Sequence, residues 1–401
     1  MQRYIYTARD NQGKVIKGVM NAENELELAE KVHSLGYFLT NFKIVDQEKF
    51  LEIKMPKMKQ KEILQFTIQL AALIEAGLPL LEALQSLIQD AQNERVKKII
   101  EDIASRVEGG DSLKEAFSFH PKSFSKLYVA IVGAGEATGK LSQSLRDLAN
   151  FLEWQMDLKS RIKEAATYPF ILFCVMVGVV SLLVTKVLPK FKLIFDSANI
   201  SLPVFTQILL NVSYFVSRFW YIGVAVIFLL ILGYKTYNAT KRGKYFLDTI
   251  KLKLPLFGEL IRKIALLRFS HTLALASRAG INLLSALDIA KETLTNLRLK
   301  KAVAKAKDSV NMGERLANSL RETGEFPAMV VRMISVGERS GSLVESLMRV
   351  ADFYNKEVSS TIKKIFALSE PIMIVIMGII VGTIALAIFL PIFKMVRVMG
   401  V

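Results

Sequence analysis

Three stretches of the chain drop the usual mixing of apolar and polar positions and run almost continuously apolar. They are 169–188 (PFILFCVMVGVVSLLVTKVL), 219–234 (FWYIGVAVIFLLILGY) and 371–393 (PIMIVIMGIIVGTIALAIFLPIF). About 20 helical residues, rising ~1.5 Å each, cross a hydrocarbon layer of roughly 30 Å. The third run carries no charge and is too long and uniformly apolar for a helix buried in a soluble core. The second is short, and extension upstream through 212–216 predicts a span over 212–234. Elsewhere apolar positions recur at helical spacing, as at Leu70, Leu73 and Ile74 or Leu141, Leu145 and Leu148. Residues 1–50 differ: YIYTAR and KVIKGVM flank the turn at 10–13, followed by NELELAEKVHSLG and LTNFKIV, which predicts a strand–strand–helix–strand module. The proline-containing, patternless stretch that follows predicts a linker over 51–64.

The pattern also repeats. QFTIQLAALIEAGLPLLEALQSL (65–87) matches RFSHTLALASRAGINLLSALDIA (268–290) at an offset of 203, pairing Phe66 with Phe269 and Ala76-Gly77 with Ala279-Gly280. After one residue drops out near Pro121 the offset becomes 202. Gly135-Glu136 then pairs with Gly337-Glu338, Gly139 with Gly341, Pro169 with Pro371 and Pro189 with Pro391. Shared punctuation over two long units is the mark of a duplicated domain. Gly77 and Gly280 stand where a helix should stop, with Pro79 or Asn282 starting the next. Each unit reads as a helical bundle, over 65–168 and 235–370, whose last helix runs into a span. Pro169 and Pro371 mark where the chain passes into the membrane, a geometric rather than a hinging role.

Charge sets the expected orientation. The formal net charge of +16 fits either nucleic-acid binding or a positive-inside membrane protein. Residues 1–168 carry 23 basic and 23 acidic side chains, so the excess lies elsewhere, next to the spans. Lys159, Arg161, Lys163, Lys235, Lys241, Arg242, Lys244, Lys251, Lys253, Lys356, Lys363 and Lys364 flank one side. Only Lys190, Lys192, Arg218, Lys394 and Arg397 flank the other. This places the N-terminus and 235–370 in the cytoplasm, with the 189–218 loop and the 394–401 tail outside, and argues against a nucleic-acid partner. The single cysteine, Cys174, lies in an apolar run and excludes an intramolecular disulfide. MQRYIYTARD lacks the apolar core of a secretory signal.

Candidate chemistry is sparse. Gly133 to Leu141 (GAGEATGKL) imitates a phosphate-binding loop, but Ala134 replaces the first glycine and Leu141 the hydroxyl residue. The second copy also lacks the lysine. His33, His120 and His271 lack metal-ligand spacing, and no nucleophile–base pair is evident, so no enzyme, cofactor or metal site is expected. The apolar runs 169–188, 219–234 and 371–393 hold no Asp, Glu or Arg, which weakens the alternative of a small transporter or permease subunit. The duplicated G-E-x-[ST]-G turn has two readings. One is a structural turn in which Thr138 or Ser340 caps the next helix; the other makes Glu136 and Glu338 contacts for a partner.

The assembled pattern resembles the inner-membrane platform proteins of type IV pilus and type II secretion machines, the PilC/GspF family. Tyr4, Tyr6 and Ala8 with Gly13 and Gly18, the A-G-[LI]-x-L and G-E-x-[ST]-G-x-L turns, and Tyr168-Pro169 and Glu370-Pro371 carry the resemblance. Ala166 departs from it, standing where the family has a larger aliphatic residue. The resemblance implies a mainly α-helical, polytopic membrane protein with two six-helix cytoplasmic bundles, three transmembrane helices and a small N-terminal α+β module. It further implies a non-enzymatic adaptor in the bacterial inner membrane between a hexameric cytoplasmic assembly or retraction ATPase and pilin or pseudopilin. Other inner-membrane assembly proteins, lipid and further copies of the chain are the remaining expected partners. In the third span Gly378, Gly382, Ala385 and Ala387 would let a pilin helix or a second copy approach closely.

Overall fold

The computed structural model describes residues 2–9, 15–22, 24–34, 37–44, 57–191 and 204–398. The turn expected at 10–13, most of the 51–64 linker and most of the loop after the first span lie outside the described residues. The chain divides into two compact units, Met1–Glu153 and Trp154–Val401.

The first unit opens with the expected module. Strands β1 (Gln2–Arg9), β2 (Val15–Ala22) and β3 (Phe38–Ile44) form an antiparallel sheet in the order β2-β1-β3, with α1 (Glu25–Ser34) between the second and third strands in sequence. Ala8 and Leu28 are fully buried between sheet and helix.

A helical bundle follows: α2 (Gln60–Glu75), α3 (Leu80–Asp90), α4 (Glu94–Glu108), α5 (Leu113–Ser118), α6 (Lys126–Ala137) and the start of α7 (Leu141–Leu182). Each short connection carries its own stop and start chemistry. Asn93 accepts a hydrogen bond from the Arg95 amide, Ser112 forms a capping box with Glu115, and Ser125 accepts from the Tyr128 amide. Inside, the rings of Phe66, Phe117, Phe124 and Tyr128 pack with centroids 4.5–6.1 Å apart. The Tyr128 hydroxyl is matched to Thr67 Oγ1 at 3.0 Å, as a buried hydroxyl requires.

The second unit takes up α7 from Trp154. A π-helical turn (Leu183–Val187) follows, then α8 (Val204–Ala239), α9 (Lys241–Lys253), α10 (Phe257–Arg278), α11 (Leu283–Thr293), α12 (Leu297–Asn311), α13 (Leu316–Glu322), α14 (Ala328–Ser340) and α15 (Leu343–Val398). Helices α10 to α15 repeat the order of α2 to α7, with near-equal lengths for the four middle helices and a longer first and last one, and α9 is additional among the described residues. Their core is aliphatic, centred on Leu273, Leu287, Val303, Leu320, Ile334 and Val350, with Phe269. Leu158 of α7 joins this core, and Trp154, Ile162 and Ala165 pack on it. Residues 154–165 thus pack in the second unit, whereas the sequence pattern alone extends the first bundle to 168.

Among the described residues three helices are long and apolar enough to cross a membrane: Leu141–Phe191, Tyr221–Ala239 and Leu343–Phe393. Their outer faces expose Phe170, Ile171, Phe173, Phe228, Leu229, Ile374, Ile379 and Phe389, the surface expected of helices solvated by lipid. Leu188, Leu210 and Ile384 bury one another where the three meet. Thr206 Oγ1 donates to the Ala387 carbonyl at 3.1 Å, and Ser213 Oγ donates to the Val184 carbonyl. The second membrane helix departs from helical geometry at Phe219 (φ −116°, ψ 20°) and continues to Ala239, past the apolar run. Pro169 and Pro371 sit inside unbroken helices rather than at a helix start. A helical proline removes one backbone hydrogen bond and crowds the carbonyl four residues earlier. That residue is alanine both times, Ala165 and Ala367, at the height where the helices leave water.

Candidate functional site

The duplicated turns are the features that sequence singled out, and their geometry is the same in both bundles. Gly77 (φ +89°) and Gly280 (φ +82°) take the left-handed conformation directly after α2 and α10, where a side chain would be strained. At the second turn the Glu136 carboxylate accepts from the Leu113 amide at 2.7 Å and the Lys114 amide at 3.1 Å. Glu338 accepts from Leu316 at 2.8 Å and Ala317 at 3.3 Å. Each carboxylate therefore caps the start of the short fourth helix of its own bundle, where free N–H groups and the helix dipole favour an anion. Gly135 and Gly337 allow this approach: a Cβ there would lie 2.5 Å from Ser144 Oγ or Ser346 Oγ on the neighbouring helix. Gly139 (φ +68°) and Gly341 (φ +70°) then reverse the chain.

The hydroxyls of this turn act differently from the N-cap expectation. Thr138 Oγ1 donates to the Ala134 carbonyl and Ser340 Oγ to the Val336 carbonyl, each at 2.8 Å. They close the end of the preceding helix. The left-handed glycine that follows separates them from the next one.

On the membrane side, Gly378 and Gly382 face open space, with no atom within 4 Å of where a Cβ would stand. Beside them an apolar groove of about 170 Å³ is lined by Leu172, Met176, Met373, Ile374 and Met377 from the first and third spans. Methionine is flexible and polarizable, so a Met-rich groove adapts to differently shaped apolar partners.

Several polar clusters have no local signature in the sequence. In the first bundle buried His120 places Nε2 2.9 Å from Asp102, which also pairs with Arg106 at 2.9 Å. The bond to His120, aided by Arg106, holds the Asp102 pKa down at about 2. In the second bundle, burial pushes His271 down to about 4, its ring edge-on to Trp154 at 4.4 Å. Buried Glu325 pairs with Arg298 at 2.5 Å and Arg262 at 3.4 Å. Among the described residues no three His, Cys, Asp or Glu side chains gather to hold a metal.

Comparison with known proteins agrees with the duplication. Residues 66–189 and 269–391 each match the family described as type II secretion system (T2SS), protein F, and residues 1–43 match that protein's N-terminal domain. A type IV pilus assembly protein PilC of Thermus thermophilus is 37% identical over 406 residues, covering all of both chains. The PilC of Pseudomonas aeruginosa is 36% identical, covering 86% of this chain and 92% of its own. A type II secretion system protein F of Xanthomonas campestris is 33% identical over the full length of both.

Proposed function

The chain belongs to the type II secretion system protein F family, and from that premise we propose that it is a non-enzymatic inner-membrane platform for assembling type IV pili or pseudopili. In this reading the N-terminus and both bundles are cytoplasmic. They receive the motion of a hexameric assembly or retraction ATPase, and the spans pass it to pilin or pseudopilin subunits. The observation that carries the reading is continuity: α7 and α15 each run from a bundle position into a membrane-crossing stretch without a break. An adaptor needs such a stiff link between a water-soluble body and an apolar surface. The Met-lined groove and the bare Gly378–Gly382 face support contact with the apolar helix of a pilin or of a second copy.

The test is to replace both Gly378 and Gly382 by leucine in cells and count surface pili or pseudopili. The expected outcome is a strong loss of assembly with normal amounts of the protein in the membrane. Wild-type assembly would reject this face. Impermeant labelling of cysteines placed in 235–370 from outside the cell would reject the orientation.

A further inference from the structure

A second surface lies at the bundle end of the same helices. A groove of about 520 Å³ opens between α7 and α15, and four cations line it: Arg161, Lys356, Lys363 and Lys364, with Asn355 and Ser359 among them. Lys356, Ser359 and Lys363 recur at helical spacing on one face of α15. Across from them Arg161 is held in place, its guanidinium 3.1 Å from Ser359 Oγ and 2.6 Å from Asp157. Asp157 is the carboxylate paired with Arg161; Lys356, Lys363 and Lys364 are exposed and lie in no close ion pair among the described residues. The nearby Glu357 pairs closely with Lys263 at 2.8 Å and reaches Lys364 only as a longer-range attraction, leaving the four cations in excess of the carboxylates near them. Like charges gathered in excess of their counter-ions repel one another unless a further anion joins them.

The fold does not demand this arrangement. In the first copy, Trp154, Arg161 and Ile162 stand at the positions of Lys356, Lys363 and Lys364. Lys356 and Lys364 are cations particular to the second copy, while Arg161 is the first copy's counterpart of Lys363 and itself lines the groove.

Depth and neighbours identify the anion. Lys363 and Lys364 precede exposed Leu368 by four or five residues, about 6–8 Å of helix, and Arg161 precedes exposed Tyr168 by seven, about 10 Å. The lipid headgroup layer reaches about 5–8 Å beyond the hydrocarbon, within reach of long cationic side chains. Directly beyond lie Phe170, Ile171 and Ile372, exposed and apolar, past the Tyr168 hydroxyl, which donates to Glu370 at 3.5 Å. We propose that this groove is a binding site for the phosphate of an anionic phospholipid, whose acyl chains lie along that apolar surface. Lysines supply point charges, while Arg161, Asn355 and Ser359 supply directed donors. The proposal rests on the helices being embedded in lipid and not on the platform role or the orientation.

Full-length protein in detergent is equilibrated with phosphatidylglycerol, cardiolipin or phosphatidylcholine, and bound lipid is counted by native mass spectrometry. The expected result is preferential retention of the two anionic lipids. Replacing Lys363→Gln and Lys364→Gln together should weaken it by about fivefold per lysine, about 25-fold for the pair. The matched pair Lys159→Gln and Lys163→Gln, at the same height but outside the groove, should leave retention unchanged. Equal losses from both pairs would mean diffuse surface attraction and overturn the site, as would retention indifferent to Lys363 and Lys364 or to headgroup charge. Inorganic phosphate binding as tightly as phosphatidylglycerol would overturn the lipid assignment in favour of a soluble anion.

Discussion

The two bundles share their punctuation and part of their core, such as Phe66/Phe269 and Leu84/Leu287, and differ in the aromatic and polar groups packed around it. The glycine turns and the glutamate caps coincide position for position. Yet Phe117 and Tyr128 of the first core become Leu320 and Val330 in the second, and Ser123 becomes Glu325 with its two arginines. Asn93 and Asn296 both cap the third helix of their bundle, but Asn93 donates to Glu62 at 3.0 Å and Asn296 to the Asp248 carbonyl of α9 at 2.9 Å. In the first bundle the corresponding space is a groove of about 230 Å³ edged by Glu62, Gln65, Gln69 and Asp90. Backbone geometry at a turn tolerates few residues, whereas a core accepts any set that fills its volume and satisfies its polar atoms. Duplication therefore preserves the corners and lets part of the interior diverge.

That contrast can be sharpened by measuring the stability of each bundle within the full-length protein, by hydrogen exchange of peptides from each. The largest expected effect is Glu325→Ala, which leaves Arg298 and Arg262 without their buried carboxylate and should cost the second bundle about 3 kcal/mol. Ser123→Ala, at the equivalent position of the first, removes one hydrogen bond, the one from the Met58 amide, and should cost about 1 kcal/mol. Equal costs would break the claim that the interiors diverged in their electrostatics.

Acid should next separate the two. With its pKa held near 4 in the fold against 6.5 when exposed, His271 takes up its proton earlier in the unfolded chain as pH falls. The second bundle should thus lose stability between pH 6.5 and 4, by about 3 kcal/mol at pH 4, and His271→Leu should flatten that slope. Asp102 works lower. Its depressed pKa contributes stability that is complete above about 3.8 and lost as pH falls toward 2, so this group weakens the first bundle only in stronger acid. Parallel acid profiles for the two bundles would contradict both assignments.

The smallest difference is expected at the shared corner. Glu136→Ala and Glu338→Ala should each cost about 2 kcal/mol, the worth of a charged cap on two amides. A divergence above roughly 1 kcal/mol would show that one of these glutamates has a further role.

What could be read from the sequence follows the same division. The spans, the repeat and the N-terminal module were legible because each is written in local periodicity or in residues with special backbone geometry, such as Gly77 and Gly341. The reach of α7 into the second unit was not. Leu141, Leu145 and Leu148 are followed by Leu158, Ile162 and Ala165 with no break in helical pattern, and the core each set enters is a tertiary fact. The targets of Glu136 and Glu338, 22 or 23 residues away, and the bond from Arg161 to Ser359 across 198 residues are equally invisible locally. Thr138 and Ser340 misled because a hydroxyl beside a turn serves either neighbouring helix.

One last consequence belongs to α15. At 56 residues it is about 84 Å long, and it carries Pro371 and Pro391 inside it without a break. No loop interrupts it to absorb slack. In the proposed platform, a twist applied at Leu343 would be carried toward Phe393 along one continuous helix, as by a drive shaft.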